Sequence, residues 1–350
     1  MKSRSCSKSS NVLEMRMGLL AYGAIGHEHN LAISATDGLK LTAVCDMNPE
    51  RLAAALELAP QATAFTDATA MLDSQSIDAV VISTPPDSHY YWAHAALQRG
   101  IHAVLEKPMA LTVAQCDELI ALAAARGLTL VVYQNRRFDR DFVTLRRLVN
   151  EGLIGEVFQY DSFVGGYSRP CDYWHSDADV SGGAIFDWGS HFIDQIINLF
   201  DKPIDYVLGV NHKRHWHHVT NADHATVTIT FTDGTQATFT HSDLSAARKP
   251  KFHVLGTMGA IVGEWDLTAE PAVADLPARL FHFDNAGNVT NIALDEVAPY
   301  EFHSELAALL MRGTAMQVNA QSSRNVVAIM EAAEQSALMR GRPVTPAIAT

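Results

Sequence analysis

The sequence predicts an α/β protein in two parts, a doubly wound parallel sheet followed by a region built mostly of antiparallel strands. Three observations carry that expectation. From Met15 to about Tyr133 short apolar runs alternate with helix-like segments, a glycine-rich turn closes the first run, and after residue 150 long stretches of alternating polar and apolar residues take over. A chain of 350 residues has room for two domains at roughly 100 to 200 residues each. We expect them at 15–140 and 141–350, preceded at 1–14 by a disordered extension that is serine-rich and basic but lacks the apolar stretch of a secretory signal.

The strand candidates of the first part are MGLLAY (17–22), LTAVC (41–45), AVVIS (79–83), HAVLE (102–106) and LTLVVY (128–133). Each is too short for a helix and most lack polar alternation, as strands buried on both faces do. Helices should start at Asn48-Pro49-Glu50 and at Thr112, and should stop at Gly100 and Gly127. In the second part EVFQYDSFVGGY (156–167), ATVTITFTDGTQATFTHSD (225–243) and KFHVLGTMGAIVGEW (251–265) read as antiparallel strands, with hairpin turns at Asp233-Gly234 and Thr257-Met258-Gly259. Helices are expected at 182–200, 301–312 and 322–340, whereas 268–298 carries no readable signal.

Thirty-nine acidic residues against 26 basic ones give a net charge of −13, which repels nucleic acid and anionic membrane surfaces. No apolar run reaches the roughly 18 residues of a membrane span. Cys6, Cys45, Cys116 and Cys171 are scattered, which points to a reducing, cytoplasmic setting and away from a disulfide or zinc framework.

Three segments carry chemistry. In the first, Tyr22-Gly23-Ala24-Ile25-Gly26 joins a strand to a helix, the context in which a pyrophosphate meets free N–H groups and a helix dipole. Asp46, twenty residues past Gly26, stands where a carboxylate accepts from an adenosine ribose diol and repels a 2′-phosphate, so NAD is expected rather than NADP. Arg51 is near enough in sequence to oppose that preference, and Ala21 occupies the first glycine position of the motif. The second segment pairs Thr84, Pro85 and His89 with Glu106, Lys107 and Pro108 at the carboxyl ends of two strands, the edge that forms the binding crevice of such sheets. In the third, a helix over 182–200 would align Asp187, His191 and Asp194 along one face, letting a carboxylate orient an imidazole one turn away for acid/base work.

Arg169, Tyr173, Trp174 and His175 lie in a loop just before that helix and suit the faces and hydroxyls of sugar rings. The run from Asn211 to His218, with His224, invites a metal reading. Strand alternation would split those side chains between faces, so no metal is expected and a loop or subunit contact is preferred.

Taken together these segments resemble the Gfo/Idh/MocA family, named for glucose-fructose oxidoreductase and inositol dehydrogenase. The resemblance spans nearly the whole chain from Met15. It rests on the glycine-rich turn with His29 three residues beyond Gly26, CDMNPERL, STPPDSH, GIHAVLEKPMALT, NRRFD, SGGAIFDWGSHFID and the terminal SSRNVVAIMEAAEQSALMRGRPV. It implies a C-terminal α/β domain with a large open sheet that helps form a homodimer or homotetramer, a cis peptide at Lys107-Pro108, and catalytic positions at Lys107, Asp187 and His191. It further implies an NAD-dependent dehydrogenase acting on a secondary hydroxyl of a sugar, inositol or related cyclic polyol. A non-catalytic dinucleotide-binding regulator and an NAD-dependent glycoside-processing enzyme are the alternatives within the same fold. Proton transfer is assigned to His191, oriented by Asp187, with Lys107 donating to the reacting oxygen, and the roles of His191 and Lys107 can be exchanged.

Overall fold

The computed structural model describes residues 14–266 and 277–349. The extension expected at 1–14 lies, apart from Glu14, outside the described residues, as does part of the 268–298 stretch. The first part runs β1 (Met15–Leu20), α1 (Ala24–Ala35), β2 (Leu39–Cys45), α2 (Pro49–Leu58), β3 (Thr63–Phe65), α3 (Ala68–Asp73), β4 (Ala79–Ile82), α4 (His89–Gln98), β5 (His102–Leu105), α5 (Val113–Arg126) and β6 (Leu130–Val132). After α6 (Arg140–Asn150) come β7 (Val157–Gly165), α7 (Ala178–Ser181), α8 (Ala184–Leu199), β8 (Ile204–His212), β9 (His224–Phe231), β10 (Gln236–Ser242), β11 (Phe252–Gly256) and β12 (Gly259–Trp265). The chain ends with β13 (Ala278–Asp284), β14 (Val289–Ile292), α9 (Glu301–Arg312) and α10 (Ala320–Leu338).

The local chemistry accounts for the boundaries. Asn48 caps α2, its side chain accepting from the N–H groups of Glu50 and Arg51 ahead of Pro49 at the first helical position. Thr112 caps α5, and Gly127 ends it at φ +63°. β1 stops at Leu20, short of the expected Tyr22, because Ala21 turns into the left-handed region at φ +71°. An alanine there costs on the order of 1–2 kcal/mol. Lys107-Pro108 is cis, as the resemblance implied.

The six parallel strands lie in the order β3-β2-β1-β4-β5-β6. The order reverses between β1 and β4, and the carboxyl ends of those two strands open the crevice in which such sheets bind ligands. The second sheet has eight strands, β14-β13-β12-β11-β7-β10-β9-β8. Both expected hairpins form, β9 to β10 and β11 to β12. The expectation of antiparallel pairing fails once: β7 pairs parallel with β10 while pairing antiparallel with β11. Alternation shows which face a residue takes but not which way its neighbour runs. β3, with three residues, and β8, β13 and β14 went unpredicted.

α8 lies against the second sheet, Phe192 stacking on Phe239 of β10 with centroids 5.3 Å apart. α10 packs on α8, α5 and β8, and α9 returns to the first sheet, burying Phe302 and Leu306 with Met17 and Leu19. No helix among the described residues is long and apolar enough to cross a membrane. Cys45, Cys116 and Cys171 are free, and burial pushes the Cys45 thiol up to about 11.

The two parts are pinned by Arg137, in the turn after β6. Its guanidinium donates twice to Asp194 of α8 (2.7 and 2.6 Å), to the Gln317 carbonyl (2.6 Å) and to Ser322 (2.8 Å), with both charged groups buried. Asp194 is thereby committed to the fold, although it shares a helix face with Asp187 and His191. Removing one partner of such a pair leaves an uncompensated buried charge. Asp194→Ala should therefore cost about 3–5 kcal/mol in urea unfolding, and a loss under 1 kcal/mol would show that the pair does not hold the parts together.

Candidate functional site

The turn after β1 is clamped from β2. Tyr22 N–H donates to Asp46 Oδ2 (2.7 Å), Asn48 N–H donates to Oδ1 (2.8 Å), and Ala21 N–H donates to the Cys45 carbonyl (2.8 Å). Gly26 is required by packing, since a Cβ there would lie 2.7 Å from the Ala21 carbonyl oxygen. Gly23 is different. Its φ of −82° is ordinary and a Cβ would meet nothing within 4 Å, so it borders open space at the start of α1. That helix has no side-chain cap and no acidic residue in its first turn, which leaves N–H groups near Ala24 and Ile25 and the positive end of the dipole for an anion. The residues fit a dinucleotide pyrophosphate. Tyr22 itself turns inward, its ring buried and its hydroxyl bonded to Asn30 Nδ2 (3.1 Å).

At the ends of β4 and β5 the side chains hold one another. His89 is buried with Nε2 2.8 Å from the Thr84 carbonyl oxygen and Nδ1 2.7 Å from that of Pro108, stitching the two strand-end loops together rather than facing a ligand. Ser88 donates to Thr84 Oγ1 and to the Pro85 carbonyl (2.7 Å each). Glu106 accepts from His29 Nε2 (2.9 Å) and from the Lys107 N–H (3.2 Å), while His303 Nε2 lies 3.0 Å from His29 Nδ1. The carboxylate fixes the protons along this buried chain of α1, β5 and α9.

Lys107 crosses from the first sheet to α8. Its Nζ donates to Asp187 Oδ1 (2.6 Å) and to the Asp187 carbonyl (3.3 Å), while His175 Nδ1 lies 3.9 Å from Asp187 Oδ2. Burial opposes ionisation of Asp187, but Lys107 and then His175 outweigh it and hold the carboxyl below its usual range. His191 stands apart. Burial, with Lys107 and Arg136 nearby, holds its imidazole well below the ordinary 6.5, and its Nδ1 is buried without a partner. Among the described residues no hydrogen bond joins it to Asp187. The expected orienting contact is thus replaced by a different one, because an ammonium from another strand reaches the carboxylate and a neutral imidazole cannot compete with it.

Beside Asp187 lies a cavity of about 230 Å³ whose walls include Tyr173, His175, Trp188, Asn221, His241 and Asp243. Four expected substrate contacts, Lys107, Arg169, Trp174 and His191, are not among its walls. Arg169 is held bidentately by Asp172 (2.8 Å each), and Trp174 stacks behind His175, centroids 3.6 Å apart. Sequence reasoning missed Asn221, His241 and Asp243. The available signal was parity, since Phe239, His241 and Asp243 alternate onto the face that carries α8.

Past His212 the histidine-rich run leaves the strand and forms a loop, one of the two preferred readings. Asp223 organises it, accepting from Lys213 Nζ (3.0 Å) and from the N–H groups of Arg214 (2.5 Å), His215 (2.6 Å) and Trp216 (3.3 Å). These bonds outweigh the larger opposing effect of burial and draw its carboxyl down to about 2. Among the described residues no group of three or more His, Cys, Asp or Glu could hold a metal.

Residues 15–134 match the model of an oxidoreductase family with an NAD-binding Rossmann fold, and residues 142–262 match the Gfo/Idh/MocA C-terminal domain. The oxidoreductase YdgJ of Escherichia coli K12 is 32% identical over 255 residues, 71% of this chain and 70% of its own. The scyllo-inositol 2-dehydrogenase (NADP(+)) IolW of Bacillus subtilis 168 is 25% identical over 340 residues, 92% of this chain and 93% of its own. The crystal structure of an NAD-binding protein from Listeria innocua superposes with a TM-score of 0.83 at 25% identity, covering 95% of this chain and 97% of that one. With a Rossmann sheet, a mostly antiparallel second sheet and a lysine–aspartate pair between them, the chain belongs to the Gfo/Idh/MocA family of oxidoreductases.

Proposed function

We propose that this oxidoreductase transfers hydride between a nicotinamide dinucleotide and a secondary hydroxyl of a sugar, inositol or related cyclic polyol. The Lys107–Asp187 pair, set beside a neutral His191 and a cavity rich in hydrogen-bonding groups, carries that reading. The name of the Bacillus subtilis relative agrees with the substrate class. We take the protein to work in the cytoplasm as a homodimer or homotetramer.

The N–H groups near Gly23, Ala24, Ile25 and Gly26 would receive the pyrophosphate, Asp46 the adenosine ribose, and the Thr84–Pro85 and Glu106–Lys107 strand ends would border the nicotinamide half. When bound, nicotinamide supplies the electron-pair acceptor for the carbinol hydrogen. The chain's own task is the proton. His191 Nδ1 is buried, so exchange falls to Nε2, which takes the hydroxyl proton. The Lys107 ammonium donates to the reacting oxygen and stabilises its developing charge. Asp187 acts through Lys107 as a positioning residue, fixing where that ammonium stands, and Tyr173 and His175 line the space for the ring.

His191→Ala and Lys107→Ala should each lower kcat by a factor on the order of 10² or more, with cofactor affinity nearly unchanged. Because the base must be unprotonated, kcat/KM for alcohol oxidation should fall with pH only on passing below the ordinary histidine value of 6.5. An acid limb above neutrality would transfer the base role to Lys107, and near-normal kcat in either variant would favour a regulator that binds dinucleotide without turnover.

For the cofactor, the buried carboxylate of Asp46 should favour NAD. The Arg51 guanidinium is 3.8 Å from it and does not outweigh its charge. We expect kcat/KM on the order of 10-fold higher with NAD than with NADP, and comparable values would contradict the assignment. Gly23→Ala should leave the melting temperature of the unliganded chain unchanged while weakening dinucleotide binding by about 10-fold or more in calorimetry. Unaltered affinity would remove the turn from the cofactor site.

A further inference from the structure

Besides Asp187, the cavity wall carries a second carboxylate, Asp243. Asp243 follows β10 directly. Its backbone is fixed on both sides: its N–H donates to the Asp223 carbonyl (2.8 Å), and its own carbonyl accepts from Ser168 N–H (3.2 Å) and Trp216 Nε1 (3.3 Å). The side chain has no comparable anchor. Among the described residues no hydrogen bond reaches its carboxylate, and His241 Nε2 lies 3.8 Å away. His241, two residues earlier on the same strand face, presents a buried Nδ1 that also lacks a partner. Asp187, at the reacting end, by contrast accepts a 2.6 Å hydrogen bond from Lys107. The Asp243 side chain keeps 21% of its accessibility, so its two acceptor oxygens stay open to water or to the hydroxyls of a ring.

The cavity itself limits what can donate. At about 230 Å³ it falls below the roughly 300–1,000 Å³ of pockets that take drug-sized ligands, which suits one small ring. Among the described residues lining it none is a lysine or arginine, and Lys107, beside it, is already paired with Asp187, so a phosphate or carboxylate next to Asp243 would meet like charge. Two neighbouring hydroxyls on an uncharged ring are the complementary group, each donating to one carboxylate oxygen.

We infer that Asp243 is a specificity-determining residue that receives a pair of adjacent ring hydroxyls away from the reacting carbon. The site accordingly takes a free, uncharged cyclic polyol and rejects its phosphorylated or carboxylated forms. This rests on the dehydrogenase reading above and narrows it.

The test is NADH formation by the full chain on unmodified inositols and aldoses, their single-deoxy analogues, and their phosphate and uronate counterparts, with the unaltered protein and Asp243→Asn. In the unaltered protein, removing either hydroxyl of one adjacent pair should raise KM on the order of 10-fold or more, as expected for a bond to a charged acceptor. Asp243→Asn should raise KM for the parent polyol by a similar factor, with the loss falling on KM rather than kcat. It should add little to the loss already shown by the deoxy analogue, and should narrow the discrimination against anionic rings. Should the variant fail to fold, the deoxy and anionic series in the unaltered protein still decides. Turnover of phosphate or uronate forms as efficient as the parent, or an unchanged KM in Asp243→Asn, overturns this inference alone. No turnover of any ring polyol by the unaltered protein overturns the dehydrogenase reading and the inference with it.

Discussion

The contact on which the site depends is the 2.6 Å ion pair between Lys107, at the carboxyl end of β5, and Asp187, in the first turn of α8. Neither element can supply the site alone, because the cofactor crevice belongs to the parallel sheet and the cavity to the second sheet and α8. The pair is partly exposed, the side chains retaining 18% and 27% of their accessibility, so its net contribution to stability is small. Its value is positional. The energy that holds the halves in register comes from elsewhere, from Arg137 and Asp194, from α10 against α8 and β8, and from the buried Glu106, His29 and His303 chain.

Two environments a few residues apart then separate two roles. Asp187 stays charged because Lys107 and His175 overcome its burial, and that charge keeps the ammonium in place. His191, one helical turn on, has burial and two cations acting in the same direction and is therefore neutral. Groups with opposing environments are what acid/base chemistry near neutral pH requires. In the proposed reaction this leaves Lys107 to donate and His191 to accept.

The parallel half was legible because continuous apolar runs, Pro and Asn caps, and glycine stops are local signals, and so were the two hairpins of the second sheet. β3 and β8 lacked either length or a clear boundary, and the parallel pairing of β7 with β10 depends on a crossover that no local pattern records. Within the site, Lys107, Asp187 and His191 were recognisable as residues, but their pairing was not. Spacing on one helix suggested Asp187 with His191 and Asp194, whereas each carboxylate had a cation waiting on another element, Lys107 for one and Arg137 for the other. Arg169 was misleading for the opposite reason, since Asp172, three residues on, captures it locally. His241 and Asp243 gain meaning only once α8 is known to leave their strand face open to a cavity.

The central claim is that Asp187 works through Lys107 and not through His191, and a pair of double-mutant cycles on kcat tests it most directly. Asp187→Asn combined with Lys107→Met should be strongly non-additive, the double variant losing scarcely more than Lys107→Met alone. Asp187→Asn combined with His191→Ala should instead lose close to the product of the two single effects. Strong coupling of Asp187 to His191, with additivity toward Lys107, would contradict the account and restore a carboxylate-oriented imidazole as the centre of the site.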